Sequence, residues 1–199
     1  MALVQQAPST LEKYRRPNLG VLSSPRRFYR DAQGWPWAAD NDAFSAWDER
    51  RYLDMLDALA HLSGCIFITA PDVVGDAEAT TQRFWEWQPL LRNLEQPIAY
   101  VTQDGLTQDA VPWGEIDCLF IGGSDVWKMG EANRALVIEA KRRGLWVHMG
   151  RVNGHRRIRY AKAIGCDSFD GSSMSWFKDR WLREYATHAG DGHVQELLT

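Results

Sequence analysis

The chain has 199 residues, enough for one domain with a sizeable core. Hydrophobic residues make up 45% and charged residues 25%, and the formal net charge of −3 excludes a polycationic nucleic-acid coat, so any nucleic-acid contact has to come from local patches. No run approaches the roughly 20 apolar residues that cross a membrane, so no membrane partner is expected. The three dispersed cysteines, Cys65, Cys118 and Cys166, form no CxxC pair and no secretory leader precedes them, which predicts buried free thiols in a cytoplasmic protein.

In chain order, residues 1–16 are polar and mixed and read as a flexible N-terminal arm, leaving 17–199 as a single catalytic domain. Short apolar runs then recur at 18–24 (NLGVLSS), 65–72 (CIFITAPD), 97–105 (PIAYVTQDG), 117–124 (DCLFIGGS) and 145–151 (LWVHMGR), with weaker versions at 35–41 (WPWAADN) and 165–171 (GCDSFDG). Continuous apolar runs suit strands buried on both faces, as in parallel sheets. Helical periodicity fills the gaps at 43–62, 76–94, 130–144 and 154–165, and a closing helix is expected over 172–190 with Ser172 or Ser173 as its N-cap. Seven strands alternating with helices predict an α/β fold. A compact (β/α) TIM-type barrel is favoured, with one element missing or degenerate because the length is at the lower limit. An open flavodoxin-like sheet is the alternative. GGS at 122–124 lacks the spacing of a dinucleotide fingerprint.

In a parallel barrel the carboxyl ends of the strands meet at one face. Here those ends supply Asp40, Asp72, Gln103 with Asp104, Gly122–Gly123, Arg151 with Asn153, and Asp170. Each has an ordinary structural reading. Asp40 and Asp42 suit the cap of a helix starting near Ala43, Asp72 and Gln103–Gly105 suit turns, and Asp167 suits a loop. Taken together, carboxylates and an amide at the ends of several strands are costly to gather without a ligand or a reaction. A planar heterocycle with N–H groups and a carbonyl fits them, with Trp37 or Phe44 stacked on its face. Two further carboxylates can act at a glycosidic carbon. The five histidines form no HxxxH pair and no GxSxG elbow is present, so no metal and no cofactor is expected.

The order ADNDAF (39–44), APDVVGD (71–76), VTQDG (101–105), LFIGGS (119–124), VHMGRVNG (147–154), GCDSFDG (165–171) resembles the tRNA-guanine transglycosylase family. It looks closest to the family's DpdA-like 7-deazaguanine DNA transglycosylases of phages and bacteria, over roughly residues 18–175. The resemblance implies a barrel enzyme, a pentosyltransferase, that replaces guanine by a 7-deazaguanine such as 7-cyano-7-deazaguanine. It implies Asp170 as the nucleophile, Asp40 as the acid/base group, and Asp72, Gln103, Gly122 and Gly123 as base-binding residues, with Arg151 beside them. Asp167 then holds the turn. Two departures bear on the substrate. The tRNA enzymes carry a Cys/His zinc site after the nucleophile, whereas residues 171–199 contain no cysteine. Asn41, Asp42 and Ala43 replace the usual serine-glycine-glycine. Both favour DNA, single-stranded or with the guanine flipped out. Arg156, Arg157 and Arg159 are the first choice for phosphate contacts, ahead of 26–30, Arg50–Arg51 and 141–143. The competing readings are a free-nucleoside deoxyribosyltransferase or glycosidase, and a non-catalytic deazapurine-binding protein.

Overall fold

The computed structural model describes residues 1–15 and 17–171, and in it eight parallel strands close into a barrel in sequence order. The strands are β1 (Ala2–Val4), β2 (Leu19–Ser23), β3 (Trp37–Ala39), β4 (Cys65–Thr69), β5 (Ile98–Thr102), β6 (Cys118–Ile121), β7 (Trp146–Met149) and β8 (Ser168–Asp170). Helices α1 (Pro8–Leu11), α2 (Glu49–Leu59), α3 (Ala77–Arg92), α4 (Asp125–Lys128), α5 (Glu131–Arg142) and α6 (His155–Ile164) lie between them. The (β/α) TIM-type barrel is thus the fold, and each strand is only three to five residues long, which is how so short a chain completes it. The helix expected over 172–190 lies outside the described residues.

The segment expected to be a flexible arm contains a barrel strand. Ala2 and Leu3 pair in parallel with β2 on one side and with Phe169 and Asp170 on the other, so β1 is the strand that closes the barrel. Its three residues are apolar and fully buried, which a count of hydrophobic runs passes over because the polar stretch that follows dominates the segment. The shortfall from the ideal pattern is in helices instead. The β2–β3 connection has no helix, and the β5–β6 connection has only a 3-10 turn at Gln108–Ala110. The helix expected from 43 begins at Glu49, capped by Asp48, whose carboxylate accepts from the Arg51 N–H at 3.1 Å. Asp40 and Asp42 therefore cap no helix, and Asp42 sits at a positive φ of 61° and pairs with Arg26 at 3.1 Å.

Strand periodicity sorts the core into two layers. Leu3, Leu22, Ala38, Phe67, Ala99, Val101, Cys118 and Phe120 form a cluster inside the barrel. Residues of the opposite parity, including Val21, Trp37, Ile68, Tyr100 and Val147, pack outward against α2, α3, α5 and α6. Trp37 is therefore a wall between sheet and helices, with its indole N–H bonded to the Ser63 carbonyl at 3.0 Å, and it cannot stack on a ligand as expected. The three cysteines are free thiols. Cys118 is buried and the other two are half-buried. Among the described residues, no helix is long and apolar enough to cross a membrane.

Leu3→Ala removes a side chain that is 0% exposed inside the barrel. Urea unfolding should show a loss of roughly 2–5 kcal/mol. A change within about 0.5 kcal/mol would be the behaviour of a solvated arm.

Candidate active site

Strand closure brings the predicted polar residues to the carboxyl end of the barrel, where Asp40, Asp72, Gln103, Gly122, Gly123, Arg151 and Asp170 line one small inner pocket. Asp170 ends β8. Its Oδ1 accepts from His148 Nε2 at 3.0 Å and from the Arg151 backbone N–H at 3.2 Å. Oδ2 has no donor among the described residues, so one oxygen is anchored and the other faces the pocket.

His148 was not a predicted site residue, yet it is the main brace of Asp170. It is 0% exposed, with its ring centroid 5.0 Å from Phe67 and 4.6 Å from Phe120. Burial lowers its pKa, although Asp170 pulls the other way. The ring is thus neutral, and the nitrogen facing a carboxylate must carry the proton. Nε2–H therefore donates to Asp170 and Nδ1 accepts from the Ser168 hydroxyl at 2.8 Å. Ser168 Oγ in turn accepts from the Trp146 indole N–H at 2.7 Å. Trp146 and His148 are two residues apart on β7, and Ser168 and Asp170 two apart on β8. Strand parity therefore points each pair into the barrel.

Asp40 follows β3, its backbone N–H bonded to the Ser23 carbonyl at 2.8 Å. Burial, then the nearby charges of Asp170, Asp42 and Asp72, push its carboxyl up to about 8. Asp72 lies three residues past β4 and is 6% exposed. Its two oxygens accept from Asn41 Nδ2 at 2.8 Å and Gln103 Nε2 at 2.6 Å. Burial raises its pKa in spite of those donors. Gln103 Oε1 accepts from the Gly75 N–H at 2.9 Å, so both ends of the amide are held. Asn41, one of the departures from the transglycosylase pattern, is thus a positioning residue for Asp72.

Gly122 and Gly123 follow β6 because nothing larger fits. A Cβ at Gly122 would meet the Thr102 carbonyl and Val101 at 2.6 Å, and one at Gly123, where φ is 76°, would meet Asp104 at 2.6 Å. Asp104 is structural here, accepting from the Ser124 N–H at 2.7 Å and from its hydroxyl. Arg151, at φ 59°, sends Nη2 to the Gly123 carbonyl at 2.6 Å and lies 3.9 Å over the Phe44 ring. Phe44 is 63% exposed and lines the pocket, which makes it the aromatic available for stacking. Lys128, also missed in the sequence, reaches the same pocket from the C-terminus of α4. Asp167 is at the opposite end of β8, where it accepts from Lys141 Nζ at 2.7 Å and the Val147 N–H at 2.8 Å.

An outer cavity of about 880 Å³ adjoins the inner pocket and shares Asp40, Phe44, Arg151 and Asp170 with it. Arg26, Arg27 and Arg157 line it, and Arg157 also bonds Asp125 at 2.5 Å. The three arginines expected to act together are separated. Arg156 and Arg159 are exposed on α6 and line none of the cavities described here. A helix turns about 100° per residue, so three close positions cannot all face one opening. Of the other candidates at 26–30, 50–51 and 141–143, Arg26 pairs with Asp42, Arg51 with Asp48, Lys141 with Asp167, and Arg142 and Arg143 with Glu139. Among the described residues no group of three His, Cys, Asp or Glu side chains could hold a metal ion.

Fold and site together define a (β/α) barrel with a carboxylate-rich pocket at its carboxyl mouth. No family model matches the chain, and no curated protein matches it.

The buried acids set a pH dependence. Unfolded aspartates release their protons near pH 4, whereas Asp40 keeps its own until about 8 and Asp72 is shifted the same way. The native state then binds more protons than the unfolded state, so stability falls as pH rises through this range. His148 acts on the other side. Its native pKa is below 6.5, so stability also falls as pH drops below 6.5. Thermal unfolding across pH 4–9 should show both limbs, and Asp40→Asn should flatten the alkaline one. An unchanged alkaline limb would mean that Asp40 is ionised in the fold.

Proposed function

We propose that the protein is a base-exchange transglycosylase of the tRNA-guanine transglycosylase type, acting on guanine in DNA and inserting a 7-deazaguanine. The observation that carries this reading is the unequal pair of carboxyl groups at the barrel mouth. Asp170 is braced at one oxygen and open at the other, while Asp40 is held protonated to about pH 8. A carboxyl anchored at one oxygen and a second that holds its proton offer a nucleophile and an acid from one residue type.

The steps follow from those states. Asp170 Oδ2 forms a bond to the sugar C1′ as the C1′–N9 bond breaks, and its electron pair leaves with the guanine, which takes the proton of Asp40. The covalent glycosyl-enzyme then meets the incoming deazapurine. Asp40 takes back that base's ring proton, the ring nitrogen bonds C1′, and Asp170 leaves as carboxylate. Neither base nor sugar chain is oxidised or reduced. Asp72, fixed by Asn41 and Gln103, offers carboxylate oxygens to the N–H edge of the base, and Phe44 covers its face.

A labelled-guanine exchange assay on DNA, tRNA and free nucleosides tests the reading. Label should enter DNA, and Asp170→Asn should reduce incorporation by several decades with the fold intact. Label in nucleosides alone would select the deoxyribosyltransferase reading, and base binding without incorporation would select the binding-protein reading.

The outer cavity makes a separate prediction about phosphates. Arg26→Ala with Arg27→Ala should weaken DNA binding and lower its salt slope by up to about two counterions. Arg156→Ala with Arg159→Ala should leave the slope nearly unchanged. The reverse result, measured by fluorescence anisotropy over a salt series, would place the DNA on the outer face of α6.

A further inference from the structure

A buried ammonium ion needs partners, and Lys128 lacks a full set. Its residue is 4% exposed. Nζ donates to the Gly150 carbonyl at 2.7 Å, and among the described residues it has no second hydrogen-bond acceptor, although the charges of Asp170 and Asp125 act on it. Among the described residues, two of its three N–H groups have no acceptor. Leaving a charged group in this state is costly unless something else uses it. The backbone fixes its place. Lys128 N–H donates to the Ser124 carbonyl at 2.9 Å, and its own carbonyl accepts from the fully buried Asn133 amide at 3.1 Å. α4 starts one residue after the two glycines, and Lys128 at its end lines the same pocket as they do.

The rest of the pocket shows what is missing. A base such as guanine has an N–H edge and a carbonyl edge. Asp72 suits the first. Gln103, expected from the sequence to donate to the second, is clamped between Asp72 and Gly75. Arg151 is spent on the Gly123 carbonyl and the Phe44 ring. Gly150 lies beside Asp170, since a Cβ placed on it would be 3.5 Å from Asp170 Oδ1. An ammonium on the Gly150 carbonyl is thus buried in the pocket wall near Asp170. Phosphate suits the outer cavity better, where Arg26 and Arg27 are exposed to solvent and this lysine is not.

We propose that Lys128 is the residue that recognises the 6-carbonyl of the bound base and holds the negative charge that reaches this oxygen when the C1′–N9 bond breaks. The proposal rests on the base-exchange reading for the identity of the occupant. In the ground state the ammonium donates to the carbonyl oxygen. As the electron pair of the glycosidic bond spreads into the ring, that oxygen gains charge and the contact strengthens, so binding and leaving-group stabilisation come from one group. Selectivity follows, since a purine without the carbonyl leaves the ammonium unsatisfied.

The test uses the full chain and two free bases, guanine and 2-aminopurine, which lacks the 6-carbonyl. Calorimetric titration of the wild type should show tighter binding of guanine. Lys128→Met keeps most of the stem volume and should weaken guanine binding by at least about tenfold while changing 2-aminopurine binding by less than about twofold. Should that variant not fold, Lys128→Gln keeps an N–H donor without the charge and should lose part of the same preference. Equal losses for both bases, or no loss for either, would overturn the assignment and leave base exchange standing, because the wild type would still bind guanine. A wild type that binds neither base would overturn the base-exchange reading and the assignment with it.

Discussion

The pairing of β8 with β1 is the contact on which the site depends. Ala2 lies opposite Phe169 and Leu3 opposite Asp170, and with those few backbone bonds the sheet becomes a closed ring. Closure of parallel strands leaves no choice about where their carboxyl ends go. They form one rim, and Asp40, Asp72, Gln103, Gly122 and Asp170, spread over 131 positions of the chain (40–170), become neighbours. An open sheet of the same strands would have kept β1 and β8 at opposite edges, with Asp170 far from Asp40.

Bringing carboxylates together raises their energy, and the structure absorbs that cost differently at each one. Asp170 is supported from inside the barrel through a chain of donors, Trp146 to Ser168 to His148, in which every hydrogen has one destination. Asp72 is satisfied by two side-chain amides. Among the described residues, Asp40 receives only its neighbour's backbone N–H at 2.9 Å and resolves the conflict by keeping its proton. Three carboxyls of one chemical type thus become a braced acceptor, a fixed acceptor and an acid.

The polar groups inside the barrel also explain its small residues. Ala38 and Ala99 share the barrel interior with Phe67 and Phe120, whose rings in turn pack on His148, the residue that holds Asp170. Stability and chemistry are therefore coupled through His148. A core residue in the usual sense is at the same time the donor that orients the Asp170 carboxyl at the pocket.

The strands and most helices were legible because their signals are local: apolar runs of four to eight residues, helical periodicity between them, and small or polar residues at each strand end. The barrel and the list of strand-end carboxylates follow from that pattern. β1 was not legible, since three apolar residues followed by a polar segment carry no periodicity, and only the two flanking strands make them a strand. Lys128 and His148 were missed for a related reason. A lysine in DVWKMG and a histidine in LWVHMG look like a helix-surface residue and a core substitution, and nothing in the order of residues says that one turn of helix aims the lysine inward. Trp37 and the arginines of α6 went the opposite way, because side-chain direction is set by strand parity and helix phase relative to the closed barrel. Sequence by itself determined which chemical groups stand at the strand ends, since each is fixed by its own short run. Only the tertiary structure decided which of them meet, which are buried, and therefore which hold a proton, because burial and the charge of distant neighbours exist only once the ring is closed.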